Sequence, residues 1–222
     1  MAIEIGRVTN VRTYEQAPGG SDKPVRLNKR QEMIAISPFG QAVADKNVFQ
    51  AVIGSATTPV SFVKTAYDAD QPQLVIDVPS GTTIMPLELE VVLEDSAGTD
   101  NEVIWLASGT NVGAGTSTVV TPVNLFVTSS ANAPASRCSG FRQYTGNGTD
   151  PNTGEFFEFY RTVYAFADAT TDPVKRFRWS ALESPAPIIE GTGSLVLYIV
   201  GTTTAPAGFV IAKWWEVLTG EM

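Results

Sequence analysis

The clearest alternation of apolar and polar positions runs over residues 84–93, where Leu87, Leu89, Val91 and Leu93 share one side and Glu88, Glu90 and, just beyond, Glu94 share the other. A period of two over that length predicts a half-buried β-strand. Residues 74–78 form a short apolar run closed by Pro79-Ser80-Gly81, and residues 96–101 supply turn chemistry before another apolar run at 103–107. Residues 72–105 therefore predict a meander with one greasy and one wet face. Shorter strand signals stand at 33–36, 49–53 and 60–66, and the best helical turn at 41–47. Residues 117–128 predict a strand interrupted by Pro122, which belongs at an edge or a bulge. Residues 155–167 predict a long aromatic strand with Phe157, Phe159, Arg161 and Val163 on one side and Phe156, Glu158, Tyr160 and Tyr164 on the other. Aromatics on both sides imply that both are covered, by another sheet, an arm or a neighbouring subunit. Residues 194–200 and 208–217 flank a Gly-Thr-Pro turn and predict a closing hairpin.

These segments amount to eight to ten strands without crossover helices, which leaves two packed sheets or a barrel. Uneven strand lengths and long loops favour an all-β fold, an antiparallel β-sandwich of jelly-roll type. Residues 1–47 read as an extended N-terminal arm with short strands and residues 48–222 as the sandwich domain. The arm either crosses its own domain or reaches a neighbour.

Composition sharpens this picture. The 222 residues are 43% hydrophobic, ample for a core, and only 17% charged, below the roughly 25% usual in soluble domains. Such a surface predicts extensive contact with other protein. The net charge is −8, but it is divided unevenly. Six of the 15 basic residues (Arg7, Arg12, Lys23, Arg26, Lys29, Arg30) and three of the 23 acidic ones fall within residues 1–31, a net of +3, which leaves nine against twenty, or −11, for the remainder. An acidic body argues against phosphate binding over most of the surface. The start of the chain has no apolar leader core, and its longest apolar run is far short of a membrane span, so synthesis in the cytoplasm is expected.

Candidate chemistry is sparse. The chain has no histidine, which removes Ser-His-Asp and Cys-His nucleophilic sites and His-ligated zinc. Cys138 is the one cysteine and predicts a small buried hydrophobe. No cofactor or metal site is expected, although Asp100 with Glu102, or residues 147–155, could hold a cation. Glu88, Glu90, Glu94, Asp95, Asp100, Glu102, Glu155 and Glu158 are the carboxylates from which a glycosidase pair would have to come. Residues 191–194 and 113–116 resemble phosphate loops but lack the Lys and helix that phosphate binding needs. Trp214 and Trp215 point to opposite sides of a strand and cannot form one stacking platform. Residues 144–154 predict a protruding loop carrying Asn147, Asp150 and Asn152.

The strand grammar of PSGTTIMPLELEVVLED and EFFEFYRTVYAFA, the terminal SLVLYIVGTTTAPAGFVIAKWWEV and the mildly basic arm together resemble single jelly-roll structural proteins of icosahedral viruses, including bacterial viruses. The resemblance covers residues 48–217. It implies a non-enzymatic capsid or capsid-decorating protein found in the virion, with copies of itself, often as trimers, and other virion proteins as partners. The acidic body departs from the strongly basic arms that condense RNA. Two other functions fit the same residues: a trimeric spike or glycan-binding receptor domain using the 110–116 and 147–154 loops, and a carboxylate-dependent glycan hydrolase.

Overall fold

The computed structural model of the chain describes residues 14–16, 22–24, 38–62, 68–69, 71–95, 100–113, 117–127, 134–143, 149–151, 154–165, 174–201 and 206–220. Met1–Gln41 and Ala42–Met222 form separate compact units. In the first, β1 (Tyr14–Gln16) and β2 (Asp22–Pro24) pair antiparallel with Glu15 opposite Lys23. The strand expected at 33–36 lies outside the described residues. A short helix, α1 (Pro38–Ala44), precedes the sandwich and lies three residues earlier than the helical turn expected at 41–47. Lys46 just beyond it adopts the left-handed conformation, and its N–H bonds the Val43 carbonyl at 2.9 Å, as at many helix ends.

The second unit is built of strands. In chain order they are β3 (Val48–Ile53), β4 (Val60–Ser61), β5 (Leu74–Val78), β6 (Thr82–Asp95), β7 (Asp100–Ser108), β8 (Ser117–Val120), β9 (Val123–Asn124), β10 (Ser139–Gln143), β11 (Phe156–Ala165), β12 (Lys175–Ser180), β13 (Ile189–Glu190), β14 (Gly193–Gly201) and β15 (Ala207–Leu218). One sheet has the order β11-β7-β14-β5-β10-β8. The other has β12-β6-β15-β3-β9, with β13 joined to β6 and β4 to β15.

The pairing is nested. The first long strand, β3, pairs with the last, β15; moving inward, β5 pairs with β14, β6 with β12 and β7 with β11, all antiparallel. A long hairpin rolled across two sheets gives this order, and it is the jelly roll. The chain therefore crosses between sheets at each step from β5 to β6, β6 to β7, β11 to β12 and β14 to β15. The expected meander over 72–105 does not form, because β5 and β7 lie in one sheet, separated by β14, and β6 lies in the other. Likewise β14 and β15 are not a hairpin, since they belong to different sheets. Both segments carry good turns, but a turn can carry the chain across the sandwich as readily as back along the same sheet. Between β5 and β6 the Thr82 N–H bonds the Pro79 carbonyl at 3.1 Å with Gly81 at φ 79°, a type II turn whose third position requires glycine.

The core lies between the sheets. Leu74, Ile76, Trp105, Leu195 and Leu197 of one inner face meet Leu89, Val91, Phe49, Val210 and Trp214 of the other, all fully or nearly fully buried. The six-stranded sheet is also covered on its outer face, where Val75, Ile104, Leu106, Val196 and Tyr198 pack with Val112 from the loop after β7. Both faces of β5 and β14 are thus dry, which explains why their sequences are apolar runs without alternation, broken only at Asp77 and Ser194.

The chain between β7 and β11 makes a long excursion. It leaves β7 at one end of the six-stranded sheet, places β10 beside β5 with β8 outside it, adds β9 to β3 in the other sheet, and returns to pair β11 with β7. The expected single strand at 117–128 is therefore two, split at Pro122, and each half goes to a different sheet.

Candidate assembly surface

Glu88 and Glu90 do not converge with Glu102, and Glu102 meets Glu158 only through the Arg161 guanidinium that neutralises both. Glu88 and Glu90 project from the outer face of the β6 sheet, since their neighbours Leu89 and Val91 are core. Arg176 grips Glu90 with contacts of 2.5 and 2.8 Å, while Arg178 and Lys213 hold Glu88 at 2.9 and 2.8 Å. The Lys213 contact keeps Glu88 below the usual carboxylate range despite partial burial. This face is a laced row of ion pairs across β12, β6 and β15, and so less plainly solvated than alternation predicts. Glu102 stands on the outer face of the opposite sheet, so the sandwich separates it from Glu88 by both layers. Glycosidic cleavage needs two carboxyl groups within about 5–10 Å across one cleft. Among the described residues, no cluster of three or more His, Cys, Asp or Glu side chains is placed to hold a metal ion.

Two buried carboxylates act instead as anchors for the excursion. Asp77 on β5, Ser194 on β14 and Ser108 on β7 are register neighbours and make a polar row beside the apolar cluster on the outer face of the six-stranded sheet. Above it, the backbone N–H groups of Val112 and Gly113 donate to Asp77 at 3.1 and 2.8 Å. Ser194 Oγ lies 2.6 Å from Asp77 and 2.8 Å from the Thr110 carbonyl, and Ser108 donates to the Pro151 carbonyl at 2.7 Å. Burial raises the Asp77 pKa above the ordinary aspartate range, and these donors oppose that rise. On β15, Glu216 accepts from the Ser136 hydroxyl at 2.6 Å and the Arg137 N–H at 2.8 Å, tying the segment before β10 to the core. Cys138 beside it is buried, and burial with the Glu216 charge pushes its thiol pKa upward. Alternation did not predict these anchors, but a lone Asp in LVIDV and a lone Glu in WWEVL were available signals.

The opposite side of the sandwich ends in β11 and β12. Facing inward, Phe159 meets Trp179 edge to face at 5.1 Å, Tyr164 meets Phe177 at 6.4 Å, and Lys175 sits over the Tyr164 ring at 4.5 Å. These contacts seal the core between the two sheets. Outward, Phe156, Val163 and Val174 are 51%, 60% and 57% exposed, and Phe157 near the strand start is 59% exposed. Among the described residues this strand is covered on one face, and the expected cover of the other by an arm or a neighbouring subunit lies outside them. Arg161 bridges Glu158 and Glu102 at 2.7 and 2.6 Å, and its hydrogen bonds hold Glu158 below the usual carboxylate range. At the start of β11 a groove of about 390 Å3 opens among Phe156, Phe157, Ile188, Glu155 and Glu190.

Of the residues singled out in the sequence, Lys23 lies on β2, while Arg7, Arg12, Arg26, Lys29 and Arg30 lie outside the described residues. Asn147 and Asn152 lie outside them too. Asp150 is half-buried, between Thr149, whose N–H bonds the Val112 carbonyl at 2.8 Å, and the buried Pro151. No helix among the described residues is long and apolar enough to cross a membrane.

No family model matches the chain, and neither does any curated protein. Among solved structures it is similar to a picornavirus capsid chain from an expanded equine rhinitis A virus particle, at 12% identity and a TM-score of 0.29 over 98% of this chain and 96% of that one. It is also similar to VP2 of an infectious bursal disease virus subviral particle, at 9% identity and a TM-score of 0.18, covering 78% of this chain and 42% of that one. Viral capsid proteins are thus among the structures that it resembles, at a level where the nested strand order alone carries the fold assignment.

Proposed function

We propose that this chain is a non-enzymatic structural subunit of a virus particle, and that it works by burying its free strand edge against copies of itself. One observation carries the reading. The chain spends its longest excursion closing one side of the sandwich, yet leaves β11, a ten-residue strand with exposed Phe156, Phe157 and Val163, at the other. Stable monomers blunt such edges, because unpaired backbone groups flanked by apolar side chains recruit other chains. The arm of residues 1–47, with Arg7, Arg12, Lys23, Arg26, Lys29 and Arg30, is part of the proposal as a second contact that draws its basic charge to acidic bodies. Grouping in trimers, a bacterial-virus host and the shell role as opposed to a decorating one belong to it as well. Size-exclusion chromatography with light scattering, followed by negative-stain imaging, tests it. Discrete oligomers or shells are expected. A monomer at every concentration and salt overturns it.

A further inference from the structure

The strand register on β11 changes what its outer edge presents. Glu158 stands opposite Leu106 and Tyr160 opposite Trp105, so the register slips by one and Phe159 is an extra, bulged residue. Trp105 is core and Leu106 belongs to the outer cluster. Before the slip, even-numbered residues of β11 face out; after it, odd-numbered residues do. Glu158 and Arg161 therefore share the outer face, although residues three apart on an unbroken strand point to opposite faces. Their two contacts at 2.7 Å report that shared face directly.

The outward row is then Phe156, Glu158, Arg161, Val163, and it is complementary to itself when reversed. An antiparallel copy placed about an axis between Phe159 and Tyr160 sets Phe156 against Val163, Glu158 against Arg161 and inward Phe157 against inward Thr162. Every pair matches in facing, and the outward pairs match in chemistry. The geometry points to β11 as a two-fold interface: a second copy of this chain adds its own β11 antiparallel to the first, joining two six-stranded sheets into one across the bulge. The other side of β11 carries no strand among the described residues. Directly opposed cross-strand pairs of this kind add stability and set register, and an isologous contact is what a two-fold axis requires. This inference rests on the reading that the chain assembles with its own copies. It names which surface does so, and a closed shell leaves other faces free for trimeric contacts.

Four variants with the wild type test it, all at exposed positions. Arg161→Glu places like charges opposite each other and is expected to weaken wild-type self-association at least about tenfold. The double variant Glu158→Arg with Arg161→Glu restores the pairing in reverse and is expected to recover association. An equimolar mixture of Phe156→Cys and Val163→Cys chains is expected to form a disulfide-linked dimer under mild oxidation, while neither alone does, because each cysteine faces the other position; Cys138 is buried and does not compete. A monomeric wild type overturns the proposed function and this interface together. A wild type that assembles while the charge swap has no effect and the mixture cross-links no better than either chain alone overturns the interface only.

Discussion

The two sides of the sandwich solve the same problem in opposite ways. Where β8 and β9 end the sheets, the strands are four and two residues long, Pro122 separates them, and the segment is tied down at Asp77 and Glu216. Where β11 ends its sheet, the strand is ten residues long, and its outward row sets a charged pair between two apolar side chains. Short strands and proline discourage pairing, whereas a long strand with matched side chains invites it. The difference teaches that an edge strand need not be a defect of the fold: among the described residues the long excursion covers the β8–β9 side, and none adds a second strand beside β11.

Breaking the closed side at its deepest point should have the largest effect. Glu216→Ala leaves the Ser136 hydroxyl and Arg137 N–H without their buried acceptor, and urea unfolding should show a loss of about 3 kcal/mol. Asp77→Asn should cost less, about 1–2 kcal/mol near neutral pH, because an amide presents a donor to one of the two backbone N–H groups. Its pH dependence is the sharper readout. Burial raises the native pKa of Asp77, so the native state binds its proton more readily than the unfolded chain does. Its contribution to stability is complete below the ordinary aspartate range and fades as the pH rises through the raised value. Asparagine does not titrate, so unfolding at about pH 3 and about pH 8 should show the wild-type advantage widest in acid. A gap that narrowed in acid would remove Asp77 from this role.

On the open side the effects on folding should be smaller and those on association larger. Phe159→Ala removes the ring against Trp179 and should lower stability by about 1–2 kcal/mol, with the bulge itself tested by whether the Glu158–Arg161 contact persists. Arg161→Ala, at an exposed ion pair, should change thermal unfolding of the dissociated chain by less than about 0.5 kcal/mol. If it destabilised the monomer as much as Glu216→Ala, the two sides would not differ in kind.

Much of the fold was legible along the chain. The strands at 74–78, 84–93, 103–107, 194–200 and 208–217 all exist, that at 155–167 does so over Phe156–Ala165 with residues 166–167 outside the described ones, and Pro122 does mark an edge. Misread were the partners of those strands and, on β11, the faces. Strict alternation put Phe157, Phe159, Arg161 and Val163 together, but the bulge reverses facing after Phe159 and joins Glu158 to Arg161. The burial of Glu90 and the coverage of Val75, Val196 and Tyr198 were equally hidden, because each depends on a segment distant in sequence.

Side-chain periodicity, turn residues and the absence of histidine are local properties, and by themselves they determined an all-β chain without histidine-dependent chemistry. The tertiary structure alone decided which strands share a sheet, which edge is closed and which side chains meet at the open one. Backbone hydrogen bonds are the same for any strand partner, so only the packing of remote side chains and a one-residue slip in register distinguish one arrangement from another.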